Sequence, residues 1–218
     1  METSLFTPMD NYCERMGEGL LAEPMNAATN AAFFIAAFLL WRRYRAQGAQ
    51  DAALLGLIVL IALIGAGSLS FHTFANRLTM LADVIPISLF VFAYLWVALR
   101  RLLGLSQVLA AIGLGGFALL SWAVALLPAG LQFNGSVSYF PCLAALIAIA
   151  FLVRKTAPQI AKTLAMAAAC FAASLTLRTW DAALCESFAL GTHFFWHIFN
   201  GIVLYLLGMS LLQSSRRR

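Results

Sequence analysis

The stretch ALLGLIVLIALIGAGSLSFH, residues 53–72, decides the fold of this chain. It contains no Asp, Glu, Lys or Arg, and about 20 apolar residues is the length that an α-helix needs to cross a bilayer. Hydrophobic residues run through it without the alternation of a β-strand, so it predicts a transmembrane helix. Across all 218 residues, 62% are hydrophobic and 11% are charged, against about half and about a quarter in soluble domains.

Seven apolar stretches are predicted to span the membrane and to form an all-α bundle. They cover residues 24–43, 53–72, 81–100, 105–127, 139–154, 160–178 and 192–213. Helices satisfy every backbone polar group internally, which hydrocarbon demands. The fifth stretch is the shortest, and a re-entrant segment is the alternative there. We expect one domain over residues 1–218, with an acidic extracytoplasmic segment at 1–23, the bundle at 24–213 and a basic cytoplasmic tail at 214–218.

Basic residues gather at one end of the predicted bundle. Eleven of the fourteen are there: Arg42, Arg43, Arg45, Arg100, Arg101, Arg154, Lys155, Lys162, Arg216, Arg217 and Arg218. The positive-inside rule therefore places the C-terminus in the cytoplasm and the N-terminus outside. The net charge of +5 is then a topology signal, and no nucleic-acid partner is expected. Short connections and abundant alanine suggest a bacterial inner membrane.

This topology brings all three histidines of the chain to the outer level of the bundle. His72 ends the second span, and His193 and His197 begin the seventh. Asp83 begins the third span at the same level, and Ser68 lies one helical turn before His72. Ionisable groups at membrane depth are costly, so they usually face a partner or a cavity and mark a functional site.

The spacing of the histidines fits a metal site. His193 and His197 are four residues apart and share one helical face, and His72 adds a third ligand. Three protein ligands and an open position for water are typical of catalytic zinc. Two interfacial histidines bonded to neighbours are one alternative, and back-bonding of Ser68 to a backbone carbonyl is another. A transporter with an ion path along the histidines and Asp83 is a third, although the inner halves of the spans are almost bare of ionisable groups.

These residues, taken in order, resemble the alkaline ceramidase family, which belongs to the CREST superfamily of seven-transmembrane zinc hydrolases. The segments DNYCERMGEGLLAEPMNAATN, residues 10–30, and WDAALCES, residues 180–187, are similar to that family's N-terminal segment and to the segment before its seventh span. The resemblance implies a zinc ion on three histidines and a catalytic pair of one serine and one aspartate. Those positions match His72, His193, His197, Ser68 and Asp83.

The resemblance implies hydrolysis of a membrane lipid, with an N-acyl sphingoid lipid such as ceramide cleaved to a free base and a fatty acid. Asp83 is expected to be the general base and Ser68 a hydrogen-bond donor to the oxyanion. A helix N-cap is the alternative role for Asp83. Ser68 as nucleophile is disfavoured, because the metal would occupy every histidine that might activate it. A receptor-like or haemolysin-like relative with another lipid is the alternative function, and the topology of the receptors is inverted.

The acidic N-terminal segment offers oxygen atoms of the kind that calcium prefers. The resemblance implies a possible calcium site at Asp10, Asn11, Glu14 and Glu23, with Glu18 nearby. The chain departs from the family pattern in this segment, because a methionine replaces an asparagine two residues after Glu14. A solvated acidic tail is the alternative.

Four cysteines are divided between the spans and the outer side. Cys13 and Cys185 both fall on the outer side, where disulfides persist, and the resemblance implies that they pair. Two free thiols are the alternative. Cys142 and Cys170 lie within spans, where cysteine behaves as a small buried hydrophobic residue.

Overall fold

The computed structural model describes residues 4–17 and 19–215. Glu18 and the last three arginines, which enter the arguments above, lie outside the described residues. In the part that is described, the regular structure is helical apart from one isolated bridge between Pro8 and Asn76. This bridge holds the N-terminal segment against the turn that connects the second and third spans.

The predicted all-α bundle is confirmed over the described residues. The helices are α1 Pro24–Thr29, α2 Ala31–Ala46, α3 Ala52–Phe74, α4 Arg77–Arg101, α5 Gln107–Ala125, α6 Phe140–Val153, α7 Pro158–Leu184 and α8 His193–Ser215. They provide seven segments long and apolar enough to cross a membrane, because α1 and α2 together make the first. A 3₁₀ turn at Ser136–Tyr139 precedes α6, and the two together form the fifth segment, Ser136–Val153.

The bounds of two helices, α4 and α7, differ most from the predicted apolar stretches. α4 begins at Arg77 because Asn76 and Thr79 form a capping box, in which each side chain bonds the backbone N–H of the other. Asp83 therefore lies in the second turn of α4, and its alternative role as the N-cap is excluded by the position of Asn76. α7 continues to Leu184, past the residue Arg178 that ends the apolar stretch.

Small residues let α8 approach α2 closely. A Cβ atom added to Gly201 would lie 2.9 Å from the carbonyl oxygen of Ala32, and one added to Gly208 would lie 2.1 Å from the side chain of Leu40. Such contacts drive helix association in lipid, where apolar burial between helices gains little. Among the described spans α8 is the most buried, whereas in α5 only Ala110 is buried.

The end of the bundle opposite the histidines is held by an ion pair. Arg101, at the end of α4, donates a hydrogen bond of 2.8 Å from Nη2 to Oδ1 of Asp51. Asp51 also caps α3 by accepting from the backbone N–H of Leu54. The hydrogen bond from Arg101 holds the pKa of Asp51 below its usual value. The orientation of this end toward the cytoplasm stays a prediction.

Candidate metal centre

The three histidines meet at one end of the bundle. His72 comes from the last turn of α3, and His193 and His197 come from the first two turns of α8. All three are nearly fully buried, and one ligand atom from each lies within 4.8 Å of the others. Separate helices thus bring together three nitrogen atoms at a spacing that one metal ion can bridge.

Two neighbouring side chains orient the histidine rings. Nδ1 of His72 lies 2.5 Å from Oε2 of Glu23, and Nδ1 of His197 lies 2.9 Å from Oγ1 of Thr29. The Thr29 hydroxyl donates its own proton to the carbonyl of Met25, so it accepts from His197. Both rings therefore carry their proton on Nδ1 and present Nε2 to the centre, which is the arrangement that partners of metal-binding histidines usually impose.

Several polar atoms around this centre are buried and lack a hydrogen-bond partner among the described residues. They include Nε2 of His197, Nδ1 of His193 and Oδ1 of Asp83. Burying such atoms without a partner costs free energy, so each is expected to have one. Because nitrogen ligands from histidine suit zinc, these residues fit the ion that the resemblance implies.

Ser68 and Asp83 lie next to this centre, as the sequence predicted. Ser68 is buried one turn before His72 in α3, and its hydroxyl lies beside the carboxyl group of Asp83 in α4. A close approach of the two helices fixes this pair, because a Cβ atom on Gly67 would lie only 2.0 Å from the carbonyl oxygen of Ala82.

The start of α8 is set by a carboxylate from α7. Oδ1 of Asp181 accepts hydrogen bonds from the backbone N–H groups of Thr192, at 2.6 Å, and His193, at 2.8 Å. Asp181 is buried and acts as an N-cap that belongs to another helix. Gly191 precedes this cap with a φ of +61°, and a Cβ atom there would lie 2.2 Å from Asp181 Oδ1. The cap therefore positions the first histidine of the pair.

A disulfide joins Cys13 to Cys185 and holds the N-terminal segment over the histidines. Next to it, the ring of Tyr12 stacks on the ring of His193 with centroids 3.7 Å apart. Burial raises the pKa of Tyr12, and the charge of Arg178 only partly offsets this. The segment thus covers the centre with an aromatic ring.

The chain matches a known protein family over almost its whole length. The model of the Ceramidase family matches residues 7–217. The chain belongs to the ceramidase family. No curated protein matches the chain.

A calcium site in the acidic segment would require the oxygen atoms of its side chains to face one common point, and they do not. Both carboxylate oxygens of Glu14 accept backbone N–H groups, from Met25 at 2.6 Å and Asn26 at 2.7 Å. Asp10 and Asn11 are exposed. The oxygens that calcium would need are therefore turned toward N–H donors or toward solvent, and the donor set does not fit that ion.

In this member of the ceramidase family, the carboxylate of Glu23 accepts hydrogen bonds from Arg15 and from His72. Its Oε1 accepts from Nε of Arg15 at 2.5 Å, and its Oε2 accepts from His72. Burial raises the pKa of Glu23, but the hydrogen bonds from His72 and Arg15 outweigh it, and the net pKa is lowered. Neither Arg15 nor the contact between Glu23 and His72 was predicted from the sequence.

Arg178 is a further residue that sequence reasoning assigned only to topology. Its guanidinium lies 4.9 Å from the centroid of the Trp196 ring and shares a hydrogen bond with Tyr12. Its Nε is buried without a partner among the described residues. One feature of the sequence could have indicated this role for Arg178, because it is the single arginine in the apolar sequence of α7.

An apolar cavity of about 110 Å³ lies beside the metal centre. Trp196, which stands between the two histidines of α8, forms part of its wall together with Tyr139. Other lining residues are Phe90, Leu146, Phe171 and Leu207. The wall of the cavity is almost entirely apolar, as is usual for sites that bind apolar ligands.

Proposed function

We propose that this chain is a zinc-dependent intramembrane amidase that hydrolyses an N-acyl sphingoid lipid such as ceramide. The observation that carries the proposal is the cluster of His72, His193 and His197, whose ligand atoms lie within 4.8 Å of one another beside Ser68 and Asp83. Membership of the ceramidase family supports the substrate class. The products are a free sphingoid base and a fatty acid.

The three histidines would hold the metal, two of them through Nε2 because their Nδ1 atoms bond Glu23 and Thr29. Bound zinc would supply an activated water and polarise the amide carbonyl. The remaining chemistry belongs to side chains of this protein.

Asp83 is placed to move the proton. Its Oδ1 is buried near the histidines and has no hydrogen-bond partner among the described residues. As general base it takes a proton from the water that attacks the carbonyl carbon. When the C–N bond breaks, it returns that proton to the leaving nitrogen, so that the base departs as a neutral amine and the acyl group as a carboxylic acid.

Ser68 is placed to stabilise the charge that develops on the carbonyl oxygen. Its buried hydroxyl faces the same space as Asp83 and can donate one hydrogen bond to the oxyanion. It is not assigned as the nucleophile, because the proposed metal would occupy every histidine that might activate it.

The surroundings of the site support a lipid as substrate. The apolar cavity beside Trp196 offers an environment for part of an acyl chain, and an amide lipid in the bilayer would approach the spans from the side. With the N-terminus outside, the site would open toward the outer leaflet, and an inner (plasma) membrane of a bacterium is the proposed location.

The test measures bound zinc and ceramide turnover for the purified protein and for His197→Ala. We expect the variant to lose zinc and at least about 100-fold in turnover, because two ligands rarely hold catalytic zinc. Ser210→Ala, a buried change in the same helix remote from the histidines, is the control and should keep both.

Three outcomes would contradict the proposal in different ways. Full zinc content in His197→Ala removes this residue as a ligand. Zinc-loaded wild type that releases no fatty acid from ceramide points to a relative with another lipid. Ion flux into proteoliposomes that requires His72 would favour the transporter.

A further inference from the structure

Arg15 is a buried cation in the segment that covers the metal centre. Only 8% of its side chain is exposed. Its Nε donates to Glu23 Oε1 at 2.5 Å, its Nη1 to the carbonyl of Gly17 at 3.3 Å and its Nη2 to the carbonyl of His72 at 3.4 Å. The guanidinium of Arg15 therefore connects the N-terminal segment at Gly17, the carboxylate of Glu23 and the last turn of α3 at His72.

Glu23 needs a compensating charge where it lies. Its side chain is only 2% exposed, and an ionised carboxylate at such a position is costly unless it is paired. One oxygen is paired with Arg15, and the other accepts from His72 Nδ1 and from Asn26 Nδ2 at 3.1 Å. Both carboxylate oxygens are thus occupied by N–H donors.

The other acidic side chain of the segment is also engaged. Glu14 uses both oxygens on the first N–H groups of α1, from Met25 and Asn26. Calcium requires six to eight oxygen ligands, and neither buried carboxylate has an oxygen free of N–H donors. Arg15 lies where a cation is required.

We infer that Arg15 is the permanent cation of the N-terminal segment, which therefore folds over the metal centre without calcium. Through Glu23 it also acts as a positioning residue for His72, because a paired carboxylate holds the Nδ1–H and directs Nε2 to the metal. The second part rests on the proposed zinc site, whereas the first part does not.

The experiment uses the purified full-length protein and two readouts, zinc affinity by competition with a chelator and the thermal midpoint in calcium or in a calcium chelator. Arg15→Met removes the charge and keeps the apolar stem, and Arg15→Lys restores a cation without the planar fork. Arg77→Met is the matched control, because Arg77 is an exposed arginine at the same end of the bundle.

We expect wild type to show no shift of its midpoint at about 1 mM calcium, the range in which weak extracellular calcium sites fill. Arg15→Met should bind zinc about 10–100-fold more weakly, as is usual when a partner of a metal ligand is disturbed. Arg15→Lys should recover part of that loss, and Arg77→Met should match wild type.

Two results overturn the inference. A midpoint that rises by several degrees with calcium in wild type shows that the segment takes a metal after all, and this measurement needs no variant to fold. Zinc affinity in Arg15→Met equal to wild type removes the positioning role, even if the midpoint falls. If wild type binds no zinc at all, the proposed function fails, while the calcium measurement still tests Arg15.

Discussion

Gly67 of α3 packs directly on the backbone carbonyl of Ala82 in α4. Four residues after Ala82 stands Pro86, which has no N–H to donate to that carbonyl within the helix. The two contacting residues immediately precede Ser68 and Asp83 in the sequence. The closest point between the helices therefore lies beside the candidate catalytic pair and sets its separation.

Replacement of Gly67 by alanine should separate this pair. A Cβ atom 2.0 Å from a backbone oxygen cannot be accommodated without a shift of one helix, and overpacking of this kind costs about 1–3 kcal/mol. We expect a lower thermal midpoint and a loss of ceramide turnover. Gly56→Ala in the same helix is the control, since a Cβ atom there meets nothing within 4 Å. Equal behaviour of the two variants would show that the contact does not position the site.

Asp83→Asn separates the chemical role of the carboxyl group from its shape. The amide fills the same space but cannot accept the proton, so turnover should fall by about 10²–10⁴-fold with zinc content and fold unchanged. Asp51→Asn, at the opposite end of the bundle, should keep full turnover while losing the ion pair with Arg101. If the Asp83 variant keeps more than about half its turnover, this residue is removed from the mechanism.

Thr29→Val tests the hydrogen bond that orients His197. Valine matches the shape of threonine but offers no oxygen to Nδ1, so zinc affinity should fall about 10-fold or more. Thr73→Val is the control, because the Thr73 hydroxyl bonds only the carbonyl of Leu69 among the described contacts. Chelator competition on both variants measures the effect, and identical affinities would argue against an orienting role.

Asp181→Ala should weaken the start of α8. It leaves the N–H groups of Thr192 and His193 without their shared acceptor, and loss of a cap costs about 0.5–2 kcal/mol. Both the thermal midpoint and the zinc content should fall, because His193 is the first residue of the helix. Glu186→Ala removes an exposed carboxylate from the same end and should change neither. A midpoint equal to wild type in Asp181→Ala would mean that other contacts fix the helix start.

The orientation of the bundle is tested by reporters fused after the last residue. With the C-terminus in the cytoplasm, as the charge distribution predicts, a fused green fluorescent protein should fluoresce and a fused alkaline phosphatase should be inactive. Active phosphatase would reverse the orientation and move the metal centre to the cytoplasmic side.

The seven spans and the meeting of the three histidines could be predicted because they follow from helix length, charge and alternating direction. These are properties of individual segments, and counting turns along α3 and α8 is enough to bring His72 level with His193. The start of α4 was misplaced because the capping box of Asn76 and Thr79 extends the helix beyond the apolar stretch.

The contacts that orient the histidines could not be predicted in the same way. Glu23 reaches His72 because the N-terminal segment folds back over the bundle. This segment is irregular, so no repeating pattern in its sequence predicts its path. Thr29 faces His197 because the first span breaks at Asn30, between α1 and α2. The sequence indicates Arg15 only as one more charge on the outer side, because nothing in its neighbourhood predicts that it is buried.

The candidate ligands of the metal centre are supplied by the second and the seventh spans, and this has a consequence for biosynthesis. A chain that has emerged only as far as α7 contains His72 and its partner Glu23 but neither residue of the α8 pair. In the proposed zinc site, the ion would be captured only after the final helix has entered the bilayer and placed its first two turns beside α3. Metal content would then report completed insertion, and a ribosome stalled before residue 193 would yield a membrane-embedded chain without the full set of proposed ligands.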